Sequence, residues 1–100
     1  MPMNERLPAE LLRDAELLKV LGHPTRLCIV RGLWQKGSCN VSHMQSCLAA
    51  PQPTISQHLA RLRAAGIIEG ERDGVEIRYH LKDERVAMLL ACLYPKGEQK

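Results

Sequence analysis

Two groups of residues in this 100-residue chain have types and spacings that do chemistry. The first is Cys39, His43 and Cys47 in "CNVSHMQSC". On a helix starting near Ser42, His43 and Cys47 lie one turn apart on a single face, with Cys39 just upstream. Imidazole and thiolate suit Zn²⁺, Cu⁺ or As³⁺, and a thiol pair at Cys39 and Cys47 is equally open to oxidation. Cys39 follows Lys36 and a "KGS" turn, and Cys47 lies near the positive end of the next helix. Both are therefore expected to ionise more readily than Cys28 or Cys92, whose helix faces are expected to pack. The second group lies in "PQPTISQHLARLRAAGIIEGE" (51–71). At about 100° per residue, Thr54, Gln57 and Arg61 share one side of a helix, opposite Ile55, Leu59 and Leu62. A glutamine amide suits the edge of adenine and an arginine fork suits guanine, so these three are the candidate base-reading residues. Gln52, near the helix start, is a fourth. Ser56, Arg63, Arg72 and Arg78 are candidates for phosphate contacts, although a solvated side chain explains any one arginine as well. His58 falls between the faces, where packing or a phosphate bond suits it better than base reading.

The elements that must hold these groups follow from periodicity. The segment 9–22 has apolar residues at 11, 12, 15, 18 and 21 and stops at Gly22, which predicts an amphipathic helix. Residues 23–37 predict a second helix opening at Pro24 and ending at Gly37. Its buried side is either Leu27, Val30 and Trp34 or Leu27, Ile29 and Leu33. In 40–48, Val41 is expected to make a brief extended contact and Ser42 to cap a short helix that buries Met44 and Leu48. A proline-rich turn leads into a helix over 52–65, with Gly66 as its stop. The period then changes to two. "IIEGER" and "VEIRYHL", joined by "DG", predict a hairpin whose second strand buries Val75, Ile77, Tyr79 and Leu81. A last helix, 83–94, carries Val86, Leu89, Leu90 and Leu93 and ends at Pro95 and Gly97.

Composition bounds the rest. The chain is long enough for one domain, expected over 9–94 with flexible tails at 1–8 and 95–100. Apolar residues make up 45%, with no Phe, one Trp and two Tyr, so the core must be aliphatic. A net charge of +3 and a pI near 8.8 permit a nucleic-acid partner without requiring one. The polar, proline-broken "MPMNERLPAE" does not resemble a secretion signal, and no stretch has the length of a membrane span. A cytoplasmic chain with reduced thiols and no membrane partner is expected. No nucleophile, base and orienting group come together, and no phosphate loop is present, so neither an enzyme nor a cofactor is implied.

Helix, helix, short helix, turn, helix, hairpin, helix is the order of a winged helix-turn-helix, a mainly α fold with a β-hairpin wing. Within it, "LLKVLGHPTRLCIVRGL", "PTISQHLARLRAAGIIEGERDGVEIRYHL" and the closing amphipathic helix strongly resemble the ArsR/SmtB family of bacterial repressors over roughly residues 10–94. The resemblance implies a homodimer through the first and last helices, with 52–65 in the major groove of operator duplex DNA and the wings on the flanking backbone. Leu11, Ala15 and Leu18 with Val86, Leu89, Leu90 and Leu93 are the apolar residues expected at that interface. The family's sensing sites are altered here. Asn40 and Ser42 stand where one site has two cysteines. Asp83 is kept at another, but Arg85 replaces its histidine, and Lys96 and Gln99 fall at the distant ligands. Cys28 and Cys92 match a thiol-sensing pair only loosely. The resemblance therefore implies a DNA-binding repressor released by a thiol-reactive effector such as an oxidant, persulfide or metalloid, or one with no small-molecule site. A winged helix used for protein contact is the rival from another class.

Overall fold

The computed structural model describes residues 7–95; most of the expected tails, and Lys96 and Gln99, lie outside the described residues. The elements are α1 (Ala9–Leu21), α2 (Pro24–Lys36), β1 (Cys39–Asn40), α3 (Val41–Leu48), α4 (Gln52–Ala64), β2 (Ile68–Asp73), β3 (Glu76–Leu81) and α5 (Glu84–Leu93). The sheet runs β1-β3-β2 with both pairings antiparallel. The expected winged helix-turn-helix is thus present, with a third strand that periodicity did not announce.

Local chemistry sets each boundary. The His23 ring accepts the Thr25 N–H at 3.1 Å, with Pro24 in the first turn of α2, and Gly37 ends that helix at φ 95°. α4 starts from Pro51, and Gly66 follows its last turn at φ 74°. There Gly66 N–H donates to Arg63 O at 2.9 Å and Ile67 N–H to Leu62 O at 3.0 Å. This pair of bonds is a Schellman motif, which satisfies two end carbonyls and turns Ile67 into the core beside Leu62. The Ile67 carbonyl then accepts Lys82 N–H at 2.8 Å, clamping the exit of α4 to the exit of the wing.

The core is aliphatic as expected. Ile55, Leu59 and Leu62 of α4 are fully buried among Val30, Leu33, Ile67, Val86 and Leu90. Burying each contributes on the order of 1.5–3 kcal/mol. Three such side chains on one stripe hold α4 against rotation.

Several expectations are corrected. Asn40, not Ser42, caps α3: its Oδ1 accepts the His43 N–H at 2.8 Å. Val41 is therefore helical, and the brief extended contact belongs to Cys39 and Asn40, which pair with Tyr79 and Arg78. Val75 is 97% exposed because Asp73 pairs with Glu76, leaving Gly74 and Val75 as a two-residue turn. Ile77 is also exposed, so the wing packs only from Tyr79 inward. In α2 the buried residues are Ile29, Val30 and Leu33, with Leu27 and Trp34 half-buried, a mixture of the two predicted faces. Val86 and Leu90 serve the chain's own core rather than an interface. The large apolar side chains left outside on α1 and α5 are Leu11, Leu12, Leu18, Met88 and Leu93.

Candidate nucleic-acid interface

With one side of α4 sealed into the core, Thr54, Gln57 and Arg61 are exposed along the opposite side. Arg63 is exposed one residue past the buried Leu62. Gln52 and Ser56 do not join that row. Gln52 Nε2 donates to Ser56 Oγ at 3.0 Å, and both face a hollow bounded by Val41 and Ser42 of α3 and by Val75 and Ile77 of the wing. His58 is turned toward α2: its Nδ1 lies 3.4 Å from Arg26 Nη1, and its ring centroid is 4.8 Å from that of His23. Burial, then the charges of His23, Arg26 and Arg61, hold the His58 pKa below the ordinary imidazole value. A neutral imidazole wedged there positions α4 on α2.

The wing carries charge unevenly. Pairing register puts Arg72 on the face of Ile77 and Tyr79, and puts Glu69, Glu71 and Glu76 on the other with Arg78 and His80. His80 holds Glu69 at 3.1 Å and Glu71 at 3.5 Å, and Lys82 reaches Glu69 at 3.8 Å. Arg78 turns back toward the end of α2, donating to Ser38 Oγ from Nε at 3.3 Å and Nη2 at 3.2 Å. Arg72 and Arg78 therefore lie on opposite faces of the hairpin.

A wider electrostatic signal was legible but hidden by the mild overall charge. Between Glu16 and Glu69 the chain has no Asp or Glu and six Lys or Arg. This acid-free stretch spans α2, α3 and α4. These elements themselves present cations and no carboxylate, a distribution that favours the approach of a phosphate backbone.

The thiol expectations change with the fold. Cys39 is buried, and Cys28, Cys47 and Cys92 are exposed, so Cys28 and Cys92 are not the packed residues expected. Burial pushes the Cys39 thiol pKa up, and Cys47 adds to this, against the opposing pull of Lys36 and Arg78. Cys39 thus ionises less readily than an ordinary thiol because β1 pairing draws it inward, where burial outweighs the hydrogen bond it makes with the Asn40 backbone at 3.4 Å. His43 Nε2 accepts from Lys36 Nζ at 2.6 Å and lies 3.5 Å from Cys47 Sγ. Among the described residues, no three His, Cys, Asp or Glu side chains gather as a metal would need, so Cys39, His43 and Cys47 do not form a ligand set here.

At the start of α5, Asp83 caps the helix, accepting the Arg85 N–H at 2.8 Å. The Arg85 guanidinium spans Asp83 at 3.2 Å and Asp14 of α1 at 3.1 Å. Burial raises the Asp83 pKa, but the Arg85 hydrogen bonds and charge outweigh it and hold the carboxyl below its usual value. A cation supplied by the chain itself bridges these two carboxylates.

Residues 21–71 match a family model described as a helix-turn-helix domain. The HTH-type transcriptional repressor SmtB of Mycobacterium tuberculosis is 43% identical over 84 residues, which cover 83% of this chain and 62% of that protein. The chain thus spans less than two thirds of that relative's length. The transcriptional repressor PagR of Bacillus anthracis is 39% identical over 82% of both chains. Its crystal structure superposes with a TM-score of 0.77 at 38% identity, covering 84% of this chain and 95% of PagR. The repressor BigR from Xylella fastidiosa superposes equally well, with 35% identity over 93% of this chain and 94% of BigR. Among the described residues no helix is long and apolar enough to cross a membrane.

Proposed function

Because this chain belongs to the ArsR/SmtB family of winged helix-turn-helix transcriptional regulators, we propose that it is a homodimeric repressor that reads an operator through α4. The observation that carries this is the division of α4 into a sealed apolar stripe and an exposed row of Thr54, Gln57 and Arg61 within an acid-free stretch. In this reading Gln57 and Arg61 make bidentate bonds to base edges, Thr54 touches an adjacent base, and Arg63 neutralises a phosphate. Arg72 contacts the flanking backbone from the wing, and Arg78 does so on release from Ser38. Gln52 and Ser56, turned to the hollow beside α3, serve the backbone or order α4. His58 acts by packing.

Two-fold symmetry comes from Leu11, Leu12 and Leu18 of α1 and Met88 and Leu93 of α5, which leave more apolar surface outside than a monomer needs. Gln57→Ala is expected to cost about 1–3 kcal/mol per half-site and relax base preference at one position. Unchanged preference across a randomised operator pool would mean that the reading face is wrong.

A thiol-dependent release is the second reading, and Cys47 favours it: it is exposed, beside His43, and on the helix that leads into α4. Cys47 attacks first and the buried Cys39 resolves. A disulfide forms as two electrons and two protons pass to the oxidant. Bridging β1 to the end of α3 would shift α4 and lower DNA affinity. If Cys47→Ser binds and releases DNA under oxidant as the parent does, the repressor answers to something other than the Cys47–Cys39 pair.

A further inference from the structure

A slot of about 110 Å3 opens between α2 and α3. Cys28 and Gly32, one turn apart on α2, face Met44, Cys47 and Leu48 of α3 across it. These surfaces are apolar, and thiol and thioether sulfurs are soft, polarisable walls. Gly32 lies in the interior of α2, where glycine weakens a helix relative to alanine. A Cβ at Gly32 would meet no heavy atom within 4 Å. Packing therefore does not require this glycine; its missing side chain keeps the slot open.

The mouth is different. The slot adjoins a polar hollow that shares Lys36, Cys39 and His43 with it and adds Ser38, Asn40 and Arg78. No Asp or Glu lines either cavity. Glu71, opposite Arg78 across the hairpin, is drawn to His80, and Glu76 accepts from Asn40 Nδ2 at 2.9 Å. Among the described residues neither Lys36 nor Arg78 has an acidic partner; Lys36 donates to His43 Nε2 and Arg78 to the Ser38 hydroxyl. Lys36 at the rim of the apolar slot and Arg78 in the adjoining hollow, neither paired with a carboxylate, are complementary to a monoanion with a short hydrocarbon tail.

We propose that the α2–α3 slot binds a small amphipathic carboxylate, its tail between Gly32 and Met44 and its head at Lys36 and Arg78. An engineered apolar cavity of about 150 Å3 holds benzene, so the tail is limited to roughly four to six carbons. This goes beyond the repressor reading and is tested without DNA, so failure of one is distinguishable from failure of the other.

The test is titration of the ¹⁵N-labelled full chain with hexanoate, hexanol and acetate, following backbone amides. Hexanoate is expected to shift residues 28–36 and 43–48 saturably, at least about tenfold more tightly than hexanol, with acetate not saturating over the same range. Lys36→Gln should bring hexanoate down to the hexanol level. Gly32→Leu should abolish hexanoate binding while amides elsewhere stay in place; if that variant does not fold, Gly32→Ala should shift preference from hexanoate to butanoate. No saturable shift, equal affinity for hexanol and hexanoate, or hexanoate binding unaltered by either Gly32 variant overturns the site.

Discussion

Gly70→Ala tests how the wing is fastened to the body. Gly70 sits opposite Tyr79 in the hairpin register, and a Cβ there would lie 2.8 Å from Ile77 Cγ2 and 2.9 Å from Tyr79 Cε1. Both distances are inside van der Waals contact. Ile77 is exposed enough to turn away, but Tyr79 is buried at 6% exposure, with Cys39 beside it on β1. Its ring has little room to retreat. Overpacking of this kind costs about 1–3 kcal/mol. Removing a strand glycine returns about 0.5–1 kcal/mol. The net expectation is destabilisation by roughly 1–2 kcal/mol, or a fall in Tm on the order of 5–15 °C for a domain of this size. Thermal unfolding at one fixed protein concentration measures it, because an oligomer's Tm depends on concentration. Tyr79→Leu removes the obstructing ring, so adding Gly70→Ala in that background should cost less than half as much. An unchanged or raised Tm for Gly70→Ala alone would refute the idea that the Tyr79 ring is held against the bare backbone of β2.

Arg63→Ala is expected to weaken binding to specific and random duplexes alike and to reduce the slope of log affinity against log salt by about one, measured by fluorescence anisotropy. Asn40→Ala removes the α3 cap and the bond to Glu76 together, and should cost about 0.5–2 kcal/mol in urea unfolding; Ser42→Ala should cost far less, since Ser42 is not the cap. His58 has its folded pKa below the unfolded value, so the unfolded chain binds the proton more readily. Its contribution is present above the unfolded pKa near 6.5 and is lost as pH falls through the lower folded value. His58→Gln should flatten the pH dependence of urea midpoints below pH 6.5, and a parent curve already flat there would contradict the His23–Arg26 environment.

Long periodic segments were legible in the sequence, and short or ambiguous ones were not. Ile55, Leu59 and Leu62 fixed the orientation of α4, and Gly66 fixed its end, because a three-residue stripe and a left-handed stop leave few alternatives. Two residues of strand have no period to detect, so β1 was invisible, and with it the burial of Cys39. "NVS" offered two good caps two residues apart, and only tertiary context, the Glu76 bond, selects Asn40. Val75 was misplaced because alternation assumes that the strand reaches the turn, whereas Gly74 at φ 68° begins the turn one residue later. On α5 every apolar residue looked alike; which of them serve the chain's own core depends on what α2 and α4 place beneath them.

The acid-free run from residue 17 to 68 has a kinetic consequence. Six of the fourteen Lys and Arg and none of the eleven Asp and Glu fall in that run, so along the sequence the charge is distributed as a dipole as well as a weak net cation. In the field of a polyanion a dipole feels a torque before it makes contact. The chain should therefore rotate its helix-turn-helix side forward during diffusion, and fewer encounters should be wasted on the carboxylate-bearing side. Moving one carboxylate into the run, as in Gln45→Glu on the exposed face of α3, would slow arrival through the field while touching no base-reading side chain.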